Sequence, residues 1–194
     1  MMGDMAAVVL SYLLGSIPTG LWLGKALRGV DIREHGSKNI GATNTMRVLG
    51  KGWGGVALLG DALKGVAAVL LGMRLGAWEH MPLVCGLIAI LGHGFPIYLR
   101  FKGGKGVATS TGVFLTLAPI ATLIAMAAFA AVVGATRMVS AGSITAAIVL
   151  AATVWITPHG LPLRLVILAV ALFVIVKHRT NIQRIIRGEE NKLW

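Results

Sequence analysis

The chain has 194 residues, of which 56% are hydrophobic and 13% charged, and its mean hydropathy of +0.82 largely excludes a soluble globular domain and a disordered chain. The net charge of +11 comes from 18 lysines and arginines against 7 acidic residues, without the interleaved aromatic residues of a single-strand nucleic-acid binder. We therefore predict an all-α, polytopic membrane protein, a single integral-membrane domain over residues 1–194, whose basic loops orient it and bind anions rather than nucleic acid.

Five apolar runs are close to the about 20 residues that cross a bilayer once. They stand at residues 5–24, 53–73, 80–99, 138–163 and about 161–176. The second run carries Asp61 and Lys64, an opposite-charge pair that is costly in a span unless it faces protein or water. The pair can shape a polar cleft or only neutralise itself within the bundle. The third run holds the single cysteine, Cys85, which excludes an intrachain disulfide and a zinc site built on cysteines.

The run at residues 106–136 is too long for one crossing and too short for two full ones. Pro119, preceded by Gly112, is a natural break between two short helices. Two crossings place the basic tail on the same side as the basic loops at 25–52 and 100–105, as the positive-inside rule requires. We therefore predict seven transmembrane helices, the fourth and fifth short, with the N-terminus outside and the C-terminus in the cytoplasm.

A first polar segment, residues 36–47, reads G-S-K-N-I-G-A-T-N-T-M-R and contains no acidic residue. Glycines let backbone N–H groups approach a ligand, while Ser, Thr and Asn add neutral donors. Residues 42–47 can form a short helix whose N-terminus faces an anion. The alternative is a solvated loop with ordinary helix caps.

A second polar segment joins Gly92-His93-Gly94-Phe95-Pro96 to a stretch in which Gly103 and Gly104 stand between Lys102 and Lys105, directly before a predicted helix. Backbone donors, a helix N-terminus and flanking cations are the parts of a phosphate cradle. The segment is not a nucleotide-binding P-loop, because Gly106 follows Lys105 where Ser or Thr is needed. The alternative is a basic loop that only obeys the orientation rule.

A third polar segment runs from Lys177 to Arg184 and is followed by Gly188 and Glu189. On a continuing helix His178 and Asn181 share a face. Neighbouring cations favour a neutral imidazole, which suits a base or a hydrogen-bond donor. The alternative is a solvated basic helix end. Ser140 and Ser143, at the start of the sixth helix, most simply cap it or bond its carbonyl groups.

These segments suit phosphate groups next to lipid, and they contain no Ser–His–Asp order, carboxylate pair or metal-ligand cluster. Two classes of protein remain: an enzyme that joins a phosphorylated substrate to an acyl or lipid partner, and a transporter of phosphorylated solutes. A non-catalytic lipid-binding scaffold is a third, but it leaves the ordered motifs unexplained.

Four motifs in order carry a family resemblance over nearly the whole chain. They are S-I-P-T-G at 16–20, G-S-x-N-x-G-A-T-N-x-x-R at 36–47, G-H-x-F-P-x-x-x-x-F-K-G-G-K-G-V-A-T at 92–109, and H-x-x-N-I-x-R at 178–184 with the later Gly188-Glu189. The chain resembles the bacterial integral-membrane acyl-phosphate:glycerol-3-phosphate acyltransferases. Lys38 and Ile40 stand where many members have Gly and Pro, and the His-x-x-x-x-Asp signature of soluble-type acyltransferases is absent.

The resemblance implies transfer of a fatty acyl group from acyl phosphate to the 1-hydroxyl of glycerol 3-phosphate. The products are lysophosphatidic acid and inorganic phosphate, the first step of phospholipid biosynthesis, without a metal or cofactor. It implies His178, Asn181 and Lys105 as catalytic residues. It further implies a set of substrate-binding residues, namely Ser37, Asn39, Thr43, Arg47, Lys102, Gly103, Gly104 and Ser143. The site is expected to face the cytoplasm from the bacterial plasma (inner) membrane, served by an enzyme that produces acyl phosphate.

Overall fold

The computed structural model describes residues 2–193, and within that range the chain forms helices and no strands, as predicted. It divides into two compact units, one ending at Leu117 and the other beginning at Ala118. The prediction of a single domain stays a prediction.

The first unit contains six α-helices built around one long central helix. They are α1 (Met2–Ser16), α2 (Thr19–Arg28), α3 (Ala42–Leu49), α4 (Lys51–Leu75), α5 (Met81–Gly94) and α6 (Val107–Leu117), with short 3₁₀ turns at Ile32–Glu34 and Ile97–Leu99. Helix α4 packs against α1, α3, α5 and α6, so it holds the unit together. Small residues allow these close approaches, as is usual between membrane helices: a methyl group on Gly65 of α4 would collide with the carbonyl oxygen of Thr109 in α6.

A bend of 48° separates α1 from α2 at Ile17 and Pro18. Proline lacks a backbone N–H, so the helix cannot continue unbroken through it. The break leaves the carbonyl oxygen of Ile17 available to a side chain, and the ammonium group of Lys64 donates to it at 2.8 Å. The S-I-P-T-G motif is therefore a helix break that presents polar groups to the interior.

The second unit contains four α-helices. They are α7 (Pro119–Thr136), α8 (Val139–Thr153), α9 (Leu161–Lys177) and α10 (Arg179–Ile186), with a 3₁₀ turn at Val154–Ile156. Helix α8 packs against α7 and α9. A bend of 57° separates α9 from α10 at His178, which caps the start of α10, so His178 and Asn181 lie on the shorter helix and not on a continuation of α9. The end of the chain folds back, and the backbone N–H of Leu193 donates to the carbonyl of Arg137 at 2.8 Å.

Four helices among residues 2–193 are long and apolar enough to cross a membrane, or six if each bent pair is one span. Many large apolar side chains on them are exposed, as expected of lipid-facing surfaces; on α4 they include Leu58, Leu59, Leu63 and Leu70. The predicted break before Pro119 is confirmed. The prediction that the helix after it is short is wrong, because α7 has 18 residues and passes as a span. The count of seven spans and the orientation stay predictions.

Candidate active site

Asn44 organises the first polar segment. Its side chain is only 1% exposed. Its Oδ1 accepts the backbone N–H of Ser37 at 2.7 Å, while its Nδ2 donates to the carbonyls of Ile32 at 2.7 Å and Asn39 at 2.8 Å. Three loop positions are thereby tied to one buried amide, which fixes the loop in shape. Sequence reasoning placed Asn44 in a motif but gave it no role.

The predicted short helix after this loop is confirmed as α3. At its start the side-chain oxygen of Asn39 accepts the N–H of Gly41 at 3.0 Å. Ser37, Asn39 and Thr43 are half-buried, and Arg47 extends from the last turn with an exposed side chain. The loop therefore presents small donors and one guanidinium to its surroundings.

Lys38 lies in the left-handed region, with φ of 56°. A residue with a Cβ is disfavoured there and glycine is not. The glycine that the family resemblance leads us to expect at this position therefore has a conformational reason. The departure leaves a strained but exposed lysine beside Ser37.

Asp31, just upstream of this segment, is paired and does not oppose an anion. Its carboxylate accepts from Nε and Nη2 of Arg33 at 2.9 and 2.6 Å and from the Arg33 backbone N–H at 3.0 Å. The hydrogen bonds from the Arg33 side chain are the main reason why the pKa of Asp31 is lowered to about 2. The arrangement neutralises the Asp31 carboxylate.

The second polar segment forms a folded turn between α5 and α6. The N–H of Gly104 donates to the carbonyl of His93 at 3.0 Å, and the N–H of Phe101 donates to that of Pro96 at 2.9 Å. A methyl group on Gly103 would collide with the His93 carbonyl and with Pro96. Gly104 is buried and Gly103 half-buried, so the glycines are needed for close approach rather than for flexibility.

The two lysines flanking these glycines differ in environment. Lys102 is exposed, whereas Lys105, two residues before the start of α6, is half-buried. The first and second polar segments are adjacent in space, because Leu99 packs against a core cluster that contains Ile32 and Ile40. Within the first unit, the loop between α5 and α6 therefore packs on a core cluster to which the first segment contributes Ile40.

His178 marks the bend between α9 and α10, and its side chain is 2% exposed. Its Nδ1 lies 2.8 Å from the carbonyl oxygen of Val174. A carbonyl can only accept, so Nδ1 carries a proton and donates it to the Val174 carbonyl. The bend and this bond together fix the direction of the imidazole.

Glu190 is the acidic residue that joins the third segment to α8, and the sequence analysis did not name it. Oε1 of Glu190 accepts from Asn181 Nδ2 at 2.7 Å and from Ser140 Oγ at 2.8 Å, and Oε2 accepts from Arg184 Nε at 2.7 Å. Glu190 is buried, whereas Glu189, which the sequence analysis names after the third segment, is exposed. A pair of adjacent glutamates in a basic tail was the available signal, but only the fold shows which one turns inward.

Burial disfavours ionisation of Glu190, but the hydrogen bonds from Arg184, Asn181 and Ser140 outweigh it and lower the pKa of this carboxyl group. The carboxylate therefore stays ionised and fixes Asn181 through its amide group. The hydroxyl of Ser143 donates to the carbonyl of Val139 at 2.8 Å. This is the bond to a helix carbonyl group that the sequence analysis considered for Ser143.

Comparisons with known proteins all point to one family. The family model described as glycerol-3-phosphate acyltransferase matches residues 5–188. A glycerol-3-phosphate acyltransferase of Trichlorobacter lovleyi is 51% identical over 182 residues, covering 94% of this chain and 93% of that protein. Another, from Fusobacterium nucleatum, is 46% identical and covers 95% of each chain.

The crystal structure of PlsY (YgiH), an integral membrane glycerol 3-phosphate acyltransferase, in its glycerol 3-phosphate form superposes with a TM-score of 0.92 at 35% identity, covering 97% of this chain and 94% of that one. Its lysophosphatidic acid form gives a TM-score of 0.89. The chain therefore belongs to the glycerol-3-phosphate acyltransferase family of integral membrane enzymes.

Proposed function

We propose that the enzyme transfers a fatty acyl group from an acyl phosphate to the 1-hydroxyl of glycerol 3-phosphate. The hydroxyl oxygen attacks the acyl carbon, the bond from that carbon to the phosphate oxygen breaks, and inorganic phosphate leaves. The product is lysophosphatidic acid, as in the first step of phospholipid biosynthesis. The PlsY relative, solved with glycerol 3-phosphate and with lysophosphatidic acid, supports the acceptor and the product.

The observation that carries the choice of donor is the Gly103-Gly104 turn. It is held by the His93 carbonyl, is flanked by Lys102 and Lys105, and leads directly into α6. A helix N-terminus and cations together suit the phosphate of an acyl phosphate. We assign this turn to the donor.

We assign the acceptor to the loop organised by Asn44. Ser37, Asn39 and Thr43 are half-buried on it, and Arg47 is placed at the end of α3. A guanidinium can hold two oxygens of one phosphate at once, so Arg47 is the proposed ligand of the glycerol 3-phosphate phosphate group.

The chemistry needs little beyond positioning and charge neutralisation, because phosphate is a good leaving group. We propose no covalent intermediate, metal or cofactor. His178 and Asn181 are assigned to the attacking hydroxyl, and Ser143 to a weaker polar contact. The neutral carbonyl of Val174 orients His178 without raising its basicity as a carboxylate would. This favours His178 as a positioning group, with a substrate phosphate oxygen taking the proton, over a general base.

The proposal is tested by mixing the purified enzyme with an acyl phosphate and glycerol 3-phosphate in the presence of a chelator and no nucleotide. Equal amounts of inorganic phosphate and lysophosphatidic acid are expected. Replacing glycerol 3-phosphate with glycerol, or acyl phosphate with an acyl thioester, is the matched control and should abolish the reaction. Absence of phosphate release, together with uptake of glycerol 3-phosphate into proteoliposomes, would favour the transporter instead.

The role of His178 has its own kinetic test, His178→Ala. For a positioning group, we expect turnover to fall only modestly, with every inflection of the pH–rate profile retained. Loss of an inflection near neutral pH together with a fall of about 10²-fold or more would make His178 the general base.

A further inference from the structure

A charged cluster lies inside the first unit and is not used by the proposed reaction. Asp61 and Lys64 of α4 and His93 of α5 are 2%, 6% and 4% exposed. The ammonium group of Lys64 lies 2.9 Å from Asp61 Oδ1, 2.9 Å from His93 Nδ1 and 2.8 Å from the Ile17 carbonyl. The hydroxyl of Thr19 donates to Asp61 Oδ1 at 2.9 Å.

The hydrogen-bonding capacity of Lys64 matches its surroundings. A lysine ammonium has three N–H donors, and here three acceptors surround it, one of which is His93 Nδ1. An ammonium at this position can therefore donate to His93 Nδ1, to Asp61 Oδ1 and to the Ile17 carbonyl at once. Asp61 is the carboxylate that pairs with Lys64 in the cluster.

His93 touches the Gly103-Gly104 turn through two different groups. Its backbone carbonyl accepts the N–H of Gly104 at 3.0 Å. Its ring nitrogen Nε2 occupies the space where a side chain on Gly104 would begin. The ring that Lys64 holds on one side is thus packed against the turn on the other.

The cluster is a costly way to stabilise a helix bundle. Removing two charges from water carries a large desolvation penalty, and an apolar pair of similar size often serves stability equally well. The cluster also includes two groups from the break between α1 and α2, the carbonyl of Ile17 and the hydroxyl of Thr19. Stabilisation of the helix bundle alone does not explain why this network extends to Gly104.

We propose that Asp61, Lys64 and His93 are positioning residues that hold the Gly103-Gly104 turn in the conformation that binds the phosphate of the acyl donor. The inference rests on the proposed function for the identity of that ligand. It adds that the affinity for acyl phosphate depends on the buried cluster that packs against the turn, as well as on Lys102 and Lys105 beside the turn. Loosening the cluster lets the glycine backbone relax away from the geometry that the phosphate requires.

Lys64→Met tests the inference, because it removes the ammonium and keeps an apolar chain of similar length. We expect the KM for acyl phosphate to rise roughly 10- to 100-fold, since a small misplacement of a binding group is costly. The KM for glycerol 3-phosphate should change less than about twofold, because Asn44 organises that loop independently. Amide hydrogen exchange in residues 102–106 should become faster.

Lys51→Met is the matched control: it lies on the same helix, is exposed, and should leave both KM values and the exchange rates unchanged. His93→Asn is a second variant for the case in which Lys64→Met fails to fold. The asparagine oxygen can replace Nδ1 as an acceptor for Lys64, but it leaves Gly104 without the ring. It should therefore fold and still raise the KM for acyl phosphate.

An unchanged KM for acyl phosphate in both folded variants would overturn the inference. A purely structural role would reduce the fraction of active enzyme, so the apparent kcat would fall while both KM values stayed constant. If the wild type released no phosphate, the proposed function would fail instead. Hydrogen exchange would still report whether the cluster fixes the turn, and unchanged exchange in Lys64→Met would refute that link.

Discussion

Arg47 lies in the last turn of α3 with an exposed side chain, and its planar guanidinium is the feature that a lysine cannot reproduce. Arg47→Lys keeps the charge and removes bidentate geometry. We expect the KM for glycerol 3-phosphate to rise about tenfold and the KM for acyl phosphate to rise much less. Steady-state kinetics with each substrate varied separately checks this, and the opposite pattern would exchange the two pocket assignments.

Glu190 and Glu189 are adjacent and chemically identical, yet only Glu190 is buried and bonded to Ser140, Asn181 and Arg184. Glu190→Gln should therefore lower the free energy of unfolding by roughly 1 to 3 kcal/mol, the range for hydrogen bonds to a charged group. Glu189→Gln should leave it unchanged. Thermal unfolding in detergent, with activity as a second readout, separates the two variants.

The same pair predicts a pH dependence. Because the pKa of Glu190 is lowered in the folded state, its carboxylate stabilises the fold at pH values above the ordinary 4.5, and the contribution is lost as the pH falls through the folded value. The difference in Tm between wild type and Glu190→Gln should shrink below pH 4.5. A difference that grew on acidification would show that Glu190 is protonated in the fold.

At the scale of the element, glycine positions along α4 are unequal. A methyl group at Gly65 would collide with the Thr109 carbonyl of α6, whereas nothing lies within 4 Å of one at Gly55. Gly65→Ala should destabilise the enzyme by about 1 to 3 kcal/mol through overpacking. Gly55→Ala should be neutral or slightly stabilising, since alanine favours helices. Equal Tm values for the two variants would contradict the α4–α6 packing.

The elements that the sequence predicts well are those set by composition and proline. Apolar runs locate the long helices, and Pro119 locates the break between α6 and α7. The length of α7 and the bend at His178 were missed, because an all-apolar helix has no amphipathic period to mark its ends. These features depend on packing, which local pattern does not encode.

The site was predictable to the level of its segments but not of its connections. The residue types in segments 36–47 and 102–105, glycines and cations, are enough to predict anion binding. The hydrogen bond between Lys64 and His93 joins residues that are 29 positions apart in the sequence. The hydrogen bond from Ser140 to Glu190 joins residues that are 50 positions apart. Such pairings follow from helix packing, so a sequence can supply the candidates without saying which of them meet.

At the scale of the whole molecule, the positive-inside rule and the helix count make one joint prediction. With seven spans, the basic loop after α2 and the basic tail after α10 both face the cytoplasm, and the turn between α4 and α5 faces outward. Single cysteines at Lys51, Arg187 and Glu79 report these three places, since all three residues are exposed. Cys85 is buried and can be changed to serine in the parent protein.

A membrane-impermeant maleimide should label Glu79→Cys in intact cells and label Lys51→Cys and Arg187→Cys only after permeabilisation. Labelling of Arg187→Cys from outside, with Lys51→Cys protected, would mean an even number of spans, with residues 106–136 crossing once. His178 would then be separated by the bilayer from the loop that carries Arg47, and one enzyme could not use both residues on one acceptor. The topology measurement therefore tests the proposed chemistry as directly as a kinetic assay does.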